Sequence, residues 1–269
     1  MNAAALKGMR VLVTRPALQA EPQTELLRAL GAEPVSLPLI EIHTIEASDP
    51  AYQRARSHFL DLDLYQKVIF ISANAAHFGA QWIDQYWPQL PIGIRWLAIG
   101  KKTAATLTDY GIDAESASLG YDSEALLNDL HLQEVEGERI LIVRGQGGRT
   151  LLAESLRARG AQVEYADLYQ RRCPGYADST IKDILYQQAP DALLITSGEG
   201  LDNLLQLANG RQRQFSTKAL LNYHLVVPSE RIAKQARLAG FKRITRAAGP
   251  DDQSMINALL PATDAEIDR

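Results

Sequence analysis

Short apolar runs such as VIFI (68–71) and ILIV (140–143) alternate along the chain with longer segments whose apolar residues recur at helical spacing. An apolar run of that size bounded by turn residues fits a strand buried on both faces, and a 3.6-residue rhythm fits a helix covering it. In the middle of the chain the pattern predicts strands at 68–71, 94–99, 113–117 and 139–143. A helix follows the first of these, and further helices are predicted over 102–110, 122–131 and 150–159. Near the N-terminus it predicts a strand at 10–14 and a helix over 23–30. Near the C-terminus it predicts strands at 192–196, 225–227 and 242–246 and a helix over 252–260. Strands alternating with amphipathic helices imply parallel sheets covered on both faces, with right-handed crossovers.

The two sets of elements are copies of one module. A shift of 129 residues, with no gap, lays RVLVTRP…TELLRALGAEP (from Arg10) over RILIVRG…AESLRARGAQV (from Arg139). The same shift pairs Gly111 with Gly240, Gly120 with Gly249 and Asp122 with Asp251, and a shift of 125 pairs Ser72 with Ser197. One register kept across separated segments marks a repeat. The outer copy has its last strand and helix at the N-terminus and its remaining units at the C-terminus, so the middle copy is inserted in it. The expected fold is therefore two similar doubly wound, flavodoxin- or Rossmann-like α/β domains. Domain one is discontinuous, 1–36 plus 174–262, and domain two is 46–162. The extended, β-prone segments 37–45 and 163–173 are expected to pair as a two-stranded linker. Gly31, Gly111, Gly160 and Gly240 each follow a helix, where a left-handed terminal residue is expected. The polar residues after Pro261 are expected to fray.

In open parallel sheets ligands bind beyond the carboxyl ends of the strands. The residues there are Thr14-Arg15-Pro16, Thr196-Ser197-Gly198, Ser229-Glu230-Arg231 and Gly249-Pro250 in the outer copy. In the inner copy they are Ser72-Ala73-Asn74, Gly100-Lys101-Lys102-Thr103, Gly120-Tyr121-Asp122 and Arg144-Gly145-Gln146-Gly147-Gly148-Arg149. Hydroxyls, glycines and cations dominate and acids are scarce. Such loops open onto helix N-termini, whose free N–H groups and dipole favour anions. A cleft between facing domains would accordingly take an acidic ligand. Each piece also has a plainer reading. GQGGR can be a tight strand-to-helix turn, since Thr150 stands where a dinucleotide fingerprint wants its third glycine. Ser72, Ser197, Asp122, Asp251 and Asp252 can be helix caps, Arg15 and Arg144 can be surface residues, and Tyr169 can be packing.

Composition narrows the chemistry. The chain has 269 residues, 46% of them hydrophobic and 22% charged, enough for a sizeable core. Its formal net charge of −4 argues against nucleic-acid binding. No apolar run approaches a membrane span, the start MNAAALKGM is too weakly apolar for a secretory signal, and the single Cys173 excludes an internal disulfide. A cytoplasmic location is expected. His43, His58, His77, His131 and His224 show no metal-type spacing, so no metal is expected. There is no G-x-S-x-G elbow and no P-loop.

Six segments, taken in order, resemble the uroporphyrinogen-III synthases: VLVTRP (11–16), FISANA (70–75), IGKKTAATLTDYG (99–111), ILIVRGQGGR (140–149), LYQRR (168–172) and ITSGEG (195–200). The resemblance covers nearly the whole chain, including the split domain. It implies a monomeric enzyme without cofactor that cyclises the linear tetrapyrrole hydroxymethylbilane in the interdomain cleft. Water is lost, the last pyrrole is inverted by way of a spiro intermediate, and the substrate carries eight carboxylates. It also implies a transient contact with the bilane-forming deaminase, and no membrane or nucleic-acid partner. By the same resemblance Tyr169 is the general acid and Ser72, Lys101, Thr103, Arg144, Gly145 and Ser197 hold substrate, while Arg15 and Ser229 join them as substrate-binding candidates from the strand-end reading alone. The family often carries glycine and threonine where this chain has Ser229 and Ile232. Two other readings remain open on the residues alone. One is a non-catalytic two-domain binding or regulatory protein. The other is a nucleotide-binding enzyme using GQGGR.

Overall fold

The computed structural model describes residues 5–116, 123–209 and 217–260. It divides into two compact units, 1–41 with 172–269, and 42–171. The first unit opens with strand β1 (Arg10–Val13), helix α1 (Ala17–Ala29) and strand β2 (Glu33–Ser36). The second unit runs β3 (Glu41–Thr44), α2 (Pro50–Leu60), β4 (Lys67–Phe70), α3 (Ala73–Tyr86), β5 (Arg95–Ala98) and α4 (Lys101–Thr108). It continues with β6 (Glu115–Ser116), α5 (Ser123–Leu127), β7 (Arg139–Gly145), α6 (Leu151–Ala158) and β8 (Gln162–Arg172). The chain then completes the first unit with α7 (Asp178–Lys182), β9 (Ala192–Leu194), α8 (Gly198–Asn209) and α9 (Thr217–Leu220). The last elements are β10 (His224–Val227), α10 (Glu230–Leu238), β11 (Arg243–Arg246) and α11 (Asp252–Asn257).

Sheet order demonstrates the repeat directly. The first unit's strands lie in the order β2-β1-β9-β10-β11, and the second unit's matching strands in the order β8-β7-β4-β5-β6. Every pairing among these whose register is described is parallel. The central strands are mostly apolar because helices cover both faces: β4 is wholly buried, its leading Lys67 included, and each sheet carries one core cluster on either side. The four matched glycines at helix ends all take left-handed φ, 82° and 87° at Gly31 and Gly160, 73° and 98° at Gly111 and Gly240.

Three expectations change. The segments read as a separate two-stranded linker are neighbours, but as the edge of the second unit's six-stranded sheet. Strand β8 runs from 162 to 172, paired with β7 as far as Tyr169 and flanked by β3 on its other edge, and the division into units falls at 41/42 and 171/172, inside both segments. Helix α1 starts at Ala17, not after Pro22; it carries the proline in its second turn and forgoes one backbone donor there. Helix α2 was not anticipated, although Asp49 followed by Pro50 is a start signal: the Asp49 carboxylate accepts from Ala51 N at 2.7 Å. Gly120, Tyr121, Asp122 and the residues after 260 lie outside the described residues.

Candidate functional site

In the second unit the strand tips gather around Tyr169. Along β8 the side chains alternate: Val163 and Tyr165 pack on one face of the sheet, Ala166 and Leu168 on the other. Strict alternation would return Tyr169 to the Tyr165 face. A bulge intervenes: Arg144 pairs with Asp167 but the next residue, Gly145, pairs with Tyr169, leaving Leu168 as the extra residue. Tyr169 is thereby turned to the Ala166 face, where it is only 4% exposed and packs against Phe78 at 5.6 Å between ring centroids. Its hydroxyl lies 2.9 Å from the Ser72 Oγ, either atom being able to donate. Ser72 is the N-cap of α3, and its Oγ accepts from Ala75 N at 3.0 Å. The tyrosine hydroxyl thus sits at the positive end of a 14-residue helix.

Gly145 is required by that ring. A Cβ there would lie 2.5 Å from Tyr169 Cε2 and 2.7 Å from its Cζ, inside any real contact. The backbone N of Gln146 donates to Tyr169 O at 2.6 Å, tying the loop after β7 to the bulge. Arg144, 5% exposed, turns inward. Its guanidinium stacks over the Tyr165 ring at 4.4 Å and donates to the carbonyls of Gly145, at 3.1 Å, and Gly147. Asp167 Oδ1 approaches Arg144 Nε to 3.2 Å, a coulombic contact at an angle too poor for a hydrogen bond. Burial pushes the Asp167 carboxyl above the usual range, and Arg144 and Arg54 oppose the shift. Thr103 is buried on α4, at 4% exposure, while Lys101 and Lys102 at the start of that helix are exposed.

In the first unit, Ser197 Oγ accepts from Gly200 N at 3.0 Å at the start of α8. Ser229 caps α10 through Ile232 N at 3.4 Å, and Asp251 caps α11 through Ser254 N at 2.8 Å. Arg15 donates to Pro250 O at 2.5 Å, with its Nε 2.8 Å from Asp252 Oδ1. Thr14 Oγ1 donates to Leu194 O at 2.5 Å. Each unit therefore gathers its own predicted residues at its own strand tips. The bulge, Phe78 and the inward turn of Arg144 escaped the sequence reading. The adjacent apolar pair Leu168-Tyr169, which breaks the strand's alternation, was the available signal for the first. Among the described residues no group of three or more His, Cys, Asp or Glu could hold a metal. No helix among them is long and apolar enough to cross a membrane.

Paired doubly wound units, one inserted in the other, define a class of two-unit α/β protein. Its solved members include the uroporphyrinogen III synthase of Thermus thermophilus, in a mutant form (TM-score 0.58, 16% identity, 94% of this chain and 97% of that one). The synthetase of Helicobacter pylori 26695 matches similarly, with a TM-score of 0.57 and 15% identity over 94% and 98%. At those identities the likeness is one of fold. The family model described as uroporphyrinogen-III synthase HemD matches residues 21–257. The uroporphyrinogen-III synthase of Salmonella typhimurium LT2 is 35% identical over 252 residues, covering 93% of this chain and all of the relative. That of Escherichia coli K12 is 33% identical over 260 residues, with the same coverage. The chain belongs to the uroporphyrinogen-III synthase family.

Proposed function

We propose that this chain is a uroporphyrinogen-III synthase, a carbon–oxygen lyase that closes hydroxymethylbilane to uroporphyrinogen III with inversion of the last pyrrole. The hydroxyl held against a helix start, Tyr169 Oη beside Ser72 Oγ, is the observation that carries the mechanism. In the reaction the C–O bond of the hydroxymethyl group breaks, and its oxygen leaves as water after gaining a proton. The substituted carbon of the last pyrrole bonds to the freed methylene as a spiro centre, and the older methylene bond at that carbon then breaks. The methylene so released bonds to the ring's unsubstituted α-carbon, which loses its proton and so returns the one spent on the water. Tyr169 is suited to hydrogen-bond or protonate the departing oxygen. As negative charge grows on its Oη, the Ser72 O–H can turn to donate to it, and the α3 dipole favours the same charge. The bilane closes unaided to the uninverted isomer, so the protein's main contribution is to hold the last ring in one orientation.

Eight carboxylates need donors. Lys101, the capped helix starts at Ser72, Ser197 and Ser229, and the residues Gly145 and Arg15 supply the candidates, at strand tips rich in N–H groups. No cofactor enters this mechanism. Purified protein coupled to a bilane-forming deaminase is expected to yield the type III isomer on chromatographic separation. Type I alone would refute the assignment.

A further inference from the structure

We infer that Arg144, with Asp167 behind it, is a positioning residue for Tyr169 rather than a contact for a substrate carboxylate; this rests on the role proposed above for Tyr169. An arginine that captures a substrate anion must present its donors outward. Here the residue is 5% exposed, its guanidinium carbon sits 4.4 Å over the Tyr165 ring centroid, and its Nε and one terminal nitrogen donate to the carbonyls of Gly145 and Gly147 in its own loop. Asp167 flanks it at 3.2 Å on the neighbouring strand, one residue before the bulge. The loop so held touches Tyr169 twice. Gln146 N donates to the Tyr169 carbonyl at 2.6 Å, and the bare Cα of Gly145 borders the ring. Gly147 and Gly148 both take left-handed φ, 79° and 94°, a path the carbonyl clamp keeps in register with the bulge. The guanidinium therefore sets the loop, the loop sets the bulge, and the bulge sets where the Tyr169 hydroxyl points.

Arg144→Lys separates this from charge recognition, because an ammonium keeps the charge but cannot bridge two carbonyls while lying on a ring. Its kcat should fall about 10-fold, within the range for a misplaced general acid, with KM changed less than about twofold. Combined with Tyr169→Phe, it should add less than about a twofold further loss, since both act through one hydroxyl. Exchange of the Gln146 amide should accelerate while that of the β4 amides does not. Asp167→Asn serves as the second variant if Arg144→Lys does not fold, with the same expected pattern in weaker form. A raised KM at unchanged kcat would make Arg144 a substrate contact, and multiplicative losses would uncouple it from Tyr169. Unchanged Gln146 exchange would remove the clamp whatever the activity. Failure of the underlying mechanism reads differently: there Tyr169→Phe alone keeps full activity.

Discussion

The two units use one module to different ends. Both place a serine cap after the central strand, Ser72 and Ser197, and both follow the next strand with an arginine, Arg144 and Arg15. They differ in how far the neighbouring ladder runs. In the first unit the register of β1 with β2 covers 10–13 and 33–36, and backbone bonds from Leu37 N to Val13 O and Leu39 N to Thr14 O carry it no further than Thr14. In the second, β7 and β8 pair from 139 and 162 through the bulge to Gly145 and Tyr169. The residues of the first unit that align with Gly145 and Tyr169 are Pro16 and Ile40, which offer neither the bare Cα nor the hydroxyl. The arginines diverge with them: Arg15 ties its loop to the start of α11, whereas Arg144 ties its own loop together. The scaffold supplies capped helix starts in both units, and a longer ladder supplies a buried tyrosine hydroxyl in one.

The sharpest way to break that comparison is to remove the Tyr169 hydroxyl. Tyr169→Phe should slow turnover by roughly 10–1000-fold with the fold intact, read as kcat alongside circular dichroism; full activity would erase the functional difference between the units. Gly145→Ala should come next. Its new methyl displaces the Tyr169 ring, costing about 1–3 kcal/mol of stability and about 10-fold in kcat. A thermal shift without loss of turnover would show the ring free to move. Ser72→Ala and Ser197→Ala form a matched pair. Each loses an N-cap and about 1 kcal/mol by denaturant titration, but only Ser72→Ala should also lower kcat. Equal kinetic effects would count against the 2.9 Å partnership of Ser72 with Tyr169.

The smallest expected difference concerns acid stability, because each unit carries a partly buried histidine whose pKa burial lowers, His58 in one and His224 in the other. Burial lowers the His58 pKa, Arg139 adding to the shift and Glu164 opposing it, and burial with Arg243 lowers that of His224. Both are favoured neutral in the folded state. Their contribution is fully present above the ordinary histidine value of about 6.5 and is lost as pH falls through it toward the folded pKa. His58→Gln or His224→Gln should each flatten the stability profile between about pH 7 and pH 5. An unchanged slope would show that the histidine keeps its ordinary value in the fold.

Much of this was legible in residues. The strands announced themselves as apolar runs, and the helix ends through glycines that only a left-handed turn requires. The permuted order followed from an ungapped repeat that the sheet orders reproduce. The candidate site was legible as a list of tip residues, less so as an arrangement. Arg144 and Arg15 are the same letter at matched positions, and nothing local says that one will fold back onto Gly145 and Gly147 while the other reaches Pro250. Those outcomes depend on partners such as Tyr165, Asp167 and Asp252 that only the sheet brings near. The bulge was harder still, since one extra residue reverses the face of everything after it.

The permutation also carries a cost in the order of events during synthesis. The second unit is a single stretch, 42–171, and has all its strands once the ribosome has passed β8. The first unit does not: β1 finds its central partner only when β9 arrives, and Arg10 N waits for an Asp191 carboxylate 181 residues downstream. Until then the apolar strand β1 lacks its central partner although the second unit's sheet has all its strands. The late, long-range closure of that sheet is where slow folding and aggregation should concentrate.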